Sequence, residues 1–338
     1  MYILSLKFTL LLILFAACSS EYISTDARED KGNQGKINSS VIMPKPTITQ
    51  MYRLEPTVTP KPTLLPKQTP TITGTVFNLR ELKSGIQEIY INQTIDEVTI
   101  DRKVIIHAPP NLVSEKKYSV VMAFHGNGGI PDKWINTLNR FVGNNDFIGV
   151  YPEGYLKSWN LGKEKSKADD VYFINKLMKE LNLYKQLDSK NIFALGSSNG
   201  AGMVQELAVQ TNHFKAIGAI VTQLIKGKEP KFGSPKVSVL QILGMQDPII
   251  PYEGGLSRVG HEFYGGEESA FIWAAHNQCD LHTLAEITTE GNRKIIFRDC
   301  ESGKTVLHYG ISEAKHGIPG GTEGGLFDLI WDFFKMHE

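Results

Sequence analysis

The segment FALGSSNGAG, residues 193–202, sets two adjacent serines between glycines. A serine hydroxyl attacks a carbonyl only when a positioned base takes its proton, so the segment carries chemistry only if a histidine and an orienting carboxylate accompany it. Both occur downstream. Asp247 lies in VSVLQILGMQDPIIPYEGG and His316 in TVLHYGISEAKHGIPGG, each just past a β-rich run. Of the two serines, only Ser198 completes a Gly-x-Ser-x-Gly pattern, with Gly196 and Gly200 on either side. The glycines clear space where a strand turns sharply into a helix, and the serine takes the strained apex. Taken alone the pattern also describes a plain glycine-rich turn. Upstream, VVMAFHGNGG ends an apolar run in glycines, and the main-chain N–H groups of Asn127 and Asn199 are the expected donors to a developing oxyanion. His125 is expected to orient that loop. The remaining histidines, His261 and His308 among them, are expected in packing or surface roles, and Asp280 and Asp299 in a surface loop beside the cysteines. The chemistry is acyl transfer through a covalent acyl-enzyme, which needs no metal and no organic cofactor.

Such a constellation has to be held by elements. Short apolar runs, YSVVMAFHG, FIGVYPEG, KNIFALG, AIGAIVTQ and VSVLQILG, read as strands covered on both faces, and EVTIDRKVIIHAP and TVLHYG as further strands. Between them PDKWINTLNRFVGNN, ADDVYFINKLMKELNLY, AGMVQELAVQ, EESAFIWAAHNQ and GLFDLIWDFFKMH read as helices. In the second, Val171, Ile174, Leu177, Met178 and Leu181 fall at helical spacing. The alternation predicts an α/β fold with a mostly parallel central sheet and helices on both faces. Active groups then sit beyond the carboxyl ends of the strands.

The 338-residue chain has 36 basic and 36 acidic residues, and no basic cluster with interleaved aromatics, so no nucleic-acid partner is expected. Its start, MYILSLKFTLLLILFAACSS, has an apolar run too short to span a bilayer and reads as a signal peptide over residues 1–18. Cys18 at its end is either a lipidation site or part of a discarded leader. Residues 19–75 read as a disordered Pro/Thr-rich linker, since seven of the sixteen prolines lie between Pro44 and Pro70 without a glycine between them. Residues 76–338 are the expected catalytic domain. Two cysteines remain, Cys279 and Cys300, without metal-site spacing. In an exported chain they are expected to be bridged, closing a loop worth roughly 3 kcal/mol; two buried free thiols are the alternative.

The order HGNGG, YPEG, SWN, DDVYFI, GSSNGAGM, DPIIPYEGG, WAAHNQC and HGIPGG resembles the polyhydroxybutyrate depolymerase and feruloyl esterase family of secreted α/β-hydrolases over roughly residues 100–335. The resemblance implies Ser198 as nucleophile, Asp247 as acid and His316 as base, with the amides of Asn127 and Asn199 as oxyanion hole. It implies a Cys279–Cys300 bridge, and Trp159 and Asn160 beside the substrate. For Asp169 and Asp170 it implies a place near the site, while a helix start accounts for them equally well. Two departures stand out: Asn127 occupies a position that is often cysteine in the family, and Ile318 one that is commonly tryptophan, which removes an aromatic wall from the substrate pocket. The implied protein is an extracellular monomeric serine esterase, attached to a bacterial membrane only through lipid on Cys18. Its substrates would be small or oligomeric esters, either polyhydroxyalkanoate-type or feruloyl and acetyl esters of plant polysaccharide. Soluble substrates are favoured because no polymer-binding module follows the last helix. A noncatalytic binding protein on the same scaffold, and a peptidase using the same triad, are the competing readings.

Overall fold

The computed structural model describes residues 79–283, 285–317 and 325–338. The signal peptide, Cys18, the linker through residue 75 and Ile318 lie outside the described residues. In chain order the strands are β1 (Gly85–Ile95), β2 (Val98–Ala108), β3 (Tyr118–Phe124), β4 (Ile148–Pro152), β5 (Leu187–Ser197), β6 (Ala216–Ile220), β7 (Ser238–Gly244), β8 (Gly255–Leu256), β9 (Glu262–Phe263), β10 (Glu286–Ile287), β11 (Arg293–Phe297) and β12 (Val306–Ile311). The helices are α1 (Asp132–Gly143), α2 (Asp170–Leu181), α3 (Asn199–Gln210), α4 (Gly266–His276) and α5 (Leu326–Lys335).

One ten-stranded sheet has the order β1-β2-β4-β3-β5-β6-β7-β12-β11-β10. Its middle, from β4 to β12, is parallel, and antiparallel strands flank it at both ends. β4, β6 and β7 are buried along their whole length because helices cover both faces of the sheet. In β3, Val120, Met122 and Phe124 join the core beneath α2, α3 and α4, while Val121 and Ala123 face the core of α1 and α5. That division follows from the two-residue period of a strand. β1, β11 and the two-residue strands are absent from the sequence reading. β1 alternates polar and apolar on an edge, with Ile86 and Tyr90 exposed and Ile91 and Ile95 buried, and β11 lies between the two cysteines.

Cys279, just after α4, is bridged to Cys300, just after β11, which ties helix to sheet edge. Below the site a polar chain crosses the core: the Tyr252 hydroxyl meets His308 Nε2 at 2.8 Å, and Ser269 donates to Gln241 Oε1 at 2.8 Å. Burial pushes the His308 imidazole down to about 4. In the unfolded chain this ring takes a proton near the ordinary histidine value, so stability is intact above about pH 6.5 and falls as pH drops from there towards 4, by up to about 3 kcal/mol. Denaturant titrations at the two pH values are expected to show this loss, and His308→Gln is expected to reduce it. An equal pH dependence in wild type and variant overturns the assignment. Among the described residues no helix is long and apolar enough to cross a membrane, and no cluster of side chains could hold a metal ion.

Candidate active site

The site begins at the junction of β5 and α3. Ser198 has φ 53° and ψ −124°, a conformation that costs a non-glycine residue about 1–3 kcal/mol and persists only where surroundings impose it. Those surroundings are main chain at close range. A Cβ on Gly196 would lie 2.3 Å from the carbonyl oxygen of Gly200, and one on Gly200 would lie 2.2 Å from that of Phe124. The second glycine therefore lets the start of α3 press against the end of β3, where the loop of residues 125–129 begins. Gly200→Ala is expected to destabilise the protein by about 3 kcal/mol and to slow turnover at least about a hundredfold by displacing that loop. Thermal melts and steady-state rates check both; a variant with wild-type melting and rate contradicts the packing argument.

Ser198 Oγ lies 2.8 Å from His316 Nε2, and His316 Nδ1 lies 2.6 Å from Asp247 Oδ2. Asp247 is held in turn by the amides of Ile249 and Ile250, which donate to its Oδ1 at 2.8 and 3.0 Å. The loops carrying Asp247 and His316 follow β7 and β12, which are neighbouring parallel strands. Their main chains are joined: Met245 N–H donates to Ile311 and Gln246 N–H to Ala314, both at 2.9 Å. Residues 118 positions apart thus meet because three parallel strands end on the same edge.

The loop after β3 is built around a buried histidine. Gly154 N–H donates to His125 Nε2 at 2.9 Å, so Nε2 is unprotonated and Nδ1–H donates to the Gly126 carbonyl at 2.8 Å. Burial lowers the affinity of this imidazole for a second proton. Gly128 and Gly129 donate to Lys157 and Gly126 at 2.7 and 2.9 Å. The amides of Asn127 and Asn199 have no acceptor among the described residues. Asn199 is the first residue of α3, where a helix leaves its N–H groups unpaired.

Two expected substrate contacts are corrected. Trp159 has zero exposure; its indole N–H donates to the His125 carbonyl at 2.9 Å, and it packs edge-on against Phe124. It is a strut beneath the loop that follows β3, because an indole this large gains more from burial than from contact with water. Asn160 donates its side-chain amide to Ala168 and accepts from the Gly162 amide, and it is not among the residues lining the pocket. Asp169 caps α2 by accepting from Tyr172 N–H at 2.8 Å, which fits the helix-start reading. Asp170 is buried against Arg102 at 2.6 Å and accepts the Asn160 amide at 2.7 Å, fixing the loop that carries Trp159. Removing one partner of such a pair costs about 3–5 kcal/mol.

Above Ser198 opens a pocket of about 510 Å³, lined by Leu156, Leu161, Ile250, Val259 and Phe263 as its apolar side. Its polar side includes a pair that escaped the sequence reading: His261 Nε2 lies 2.9 Å from Glu164 Oε1, and Asn199 Nδ2 lies 3.2 Å from the same oxygen. Burial alone would raise the Glu164 carboxyl, but the hydrogen bonds from His261 and the Leu161 amide outweigh it and hold the group below the usual carboxylate range. The Asn199 side chain also brackets Trp159, accepting from its amide at 2.7 Å and donating to its carbonyl at 2.9 Å. The residue that presents one free amide is thereby pinned at its side chain.

No family model matches the chain. It is 27% identical to feruloyl esterase B of Piromyces equi over 250 residues, covering 70% of this chain and 45% of that protein. To feruloyl esterase C of Emericella nidulans it is 24% identical over 244 residues, covering 69% of this chain and 83% of that one. The chain thus spans less than half the length of the first relative and most of the second. Among solved structures, acetyl xylan esterase from Aspergillus awamori superposes with a TM-score of 0.50 at 15% identity, over 75% of this chain and 99% of that chain. The shared fold is that of the α/β-hydrolases.

Proposed function

We infer that this chain, a homologue of the feruloyl esterases with the α/β-hydrolase fold, is a serine carboxylic ester hydrolase. The observation that carries the reading is the unbroken hydrogen-bonded series Ser198–His316–Asp247 at the floor of a pocket, beside two unpaired amides. Ser198 Oγ attacks the ester carbonyl as His316 Nε2 takes its proton. The carbonyl oxygen becomes an oxyanion and turns towards the N–H groups of Asn127 and Asn199, which are already held in place and need not reorganise. His316 then protonates the alkoxide as the C–O bond breaks, leaving the acyl group on Ser198. Water enters, gives a proton to His316 and repeats the addition, and the proton returns to Ser198 as the acid departs. Asp247 keeps His316 in the tautomer that can accept at Nε2 and steadies the imidazolium.

The substrates in this reading are feruloyl or acetyl esters of plant polysaccharide, in keeping with the named activities of the relatives, or polyhydroxyalkanoate-type oligoesters, which the apolar side of the pocket suits. The enzyme works outside the cell, where the Cys279–Cys300 bridge is stable, and the mature chain starts at a lipidated Cys18. Mass spectrometry of the mature N-terminus is expected to find that lipid, and an unmodified start beyond Cys18 refutes it. The reading as a whole is tested on residues 76–338 with a panel of acetyl, butyryl, hydroxybutyryl and feruloyl esters alongside a peptide amide. Ester turnover without amide cleavage supports it, and a folded protein that hydrolyses none of the esters overturns it.

A further inference from the structure

We propose that the pocket takes an ester bearing a negative charge, with a carboxylate on the part of the substrate that lies along residues 157–165. The inference rests on the esterase reading and narrows its substrate class. Lys157, Lys163 and Lys165 line the same pocket as Ser198, and none has an ion-pair partner among the described residues. The carboxylate lining that pocket, Glu164, is already engaged. It accepts from the amides of Leu161 and Lys163, from the Asn199 side chain and from His261. Other lysines also lack ion pairs; what marks these three is that all of them line the pocket that holds Ser198. Three lysines and one carboxylate thus line the pocket, which leaves the lining with an excess of positive charge.

Local backbone gives a second, independent reason. Leu156 and Lys157 both have left-handed φ, 52° and 58°, with no glycine to relieve either. Their strain is repaid locally by the Lys157 carbonyl, which accepts from Gly128 N–H in the oxyanion loop. The same turn delivers an apolar and a cationic side chain to one pocket wall. Opposite them, Val259, Ile250 and Phe263 supply apolar surface. An apolar body with an anionic end matches that arrangement, and a fully neutral ester leaves the lysine side unused. Charges converging on a cleft also raise the local concentration of an oppositely charged substrate, and salt weakens that effect.

The carboxylate could belong to the acyl part or to the alcohol part, and two matched pairs distinguish these. For the acyl side, p-nitrophenyl hydrogen glutarate is compared with its methyl-capped diester, by release of p-nitrophenol. For the alcohol side, acetylated glucuronic acid is compared with acetylated glucose, by release of acetate. In at least one pair kcat/KM is expected to favour the anion by about fivefold or more at low salt, a ratio that shrinks at about 0.5 M salt. Lys163→Gln/Lys165→Gln is expected to lower the ratio in that same pair, with a thermal melt reporting that the variant is folded. Neutral esters cleaved as well as anionic ones in both pairs, or a preference insensitive to salt and to the double substitution, overturn the proposal while leaving the esterase reading intact. No cleavage of any of the four overturns the proposal, and the esterase reading falls only if the acetyl, butyryl, hydroxybutyryl and feruloyl panel fails as well.

Discussion

Ser198→Ala is expected to lower kcat by roughly 10⁶ while leaving the melting temperature close to that of the wild type. The size of the loss comes from the way the three residues act as one unit: without Oγ there is no acyl-enzyme, and His316 and Asp247 have nothing to activate. The neighbouring Ser197 provides the contrast. It ends β5 with its main chain paired to Ile220, and its hydroxyl is not in the series that leads to Asp247, so Ser197→Ala is expected to be mild. Labelling with a fluorophosphonate separates chemistry from binding, because the reagent needs the nucleophile and no particular substrate. Wild-type labelling of the Ser198 variant, or loss of labelling in the Ser197 variant alone, assigns the nucleophile elsewhere.

Asp247→Asn is expected to cost about 10⁴ in kcat with the fold intact, a larger loss than its distance from the ester bond suggests. The reason lies in the two oxygens. Oδ1 is committed to the amides of Ile249 and Ile250, so an asparagine must keep its carbonyl there and turn its NH₂ towards His316 Nδ1. The ring then accepts at Nδ1 and carries its proton on Nε2, where it donates to Ser198 instead of accepting from it. The charge that steadies the imidazolium is lost as well. Activity within about tenfold of wild type would show that His316 is oriented by something other than Asp247.

The parts of the site that were legible in the sequence are those with a local cause. Glycine at 196 is required by the main chain of Gly200, four residues on, and an apolar run ending in a turn announces a strand end wherever that strand sits in the sheet; the need for glycine at 200 comes instead from Phe124, far away in the chain. Ser198, Asp247 and His316, which the structure brings into one hydrogen-bonded series, could therefore be singled out from spacing and context, as could the alternation of strands and helices. β1 and β11 were not legible in this way: β1 is an edge ladder whose outward residues include Ile86 and Tyr90, and β11 is five residues long and pairs only with its neighbours β10 and β12.

Tertiary structure alone decided what faces the pocket. The resemblance places Trp159 beside the substrate, yet packing turns it under the loop onto the His125 carbonyl, since only the three-dimensional arrangement shows which side of residues 158–160 is wet. His261 carries no motif, and its partner Glu164 stands 97 residues away in a lysine-rich loop. The sequence determines which side chains are capable of chemistry, because reactivity and turn propensity are properties of residues and their near neighbours. Which of them converge, and which are spent on holding others, depends on distances between segments far apart in the chain, and those are set only when the sheet closes its order and both faces are packed.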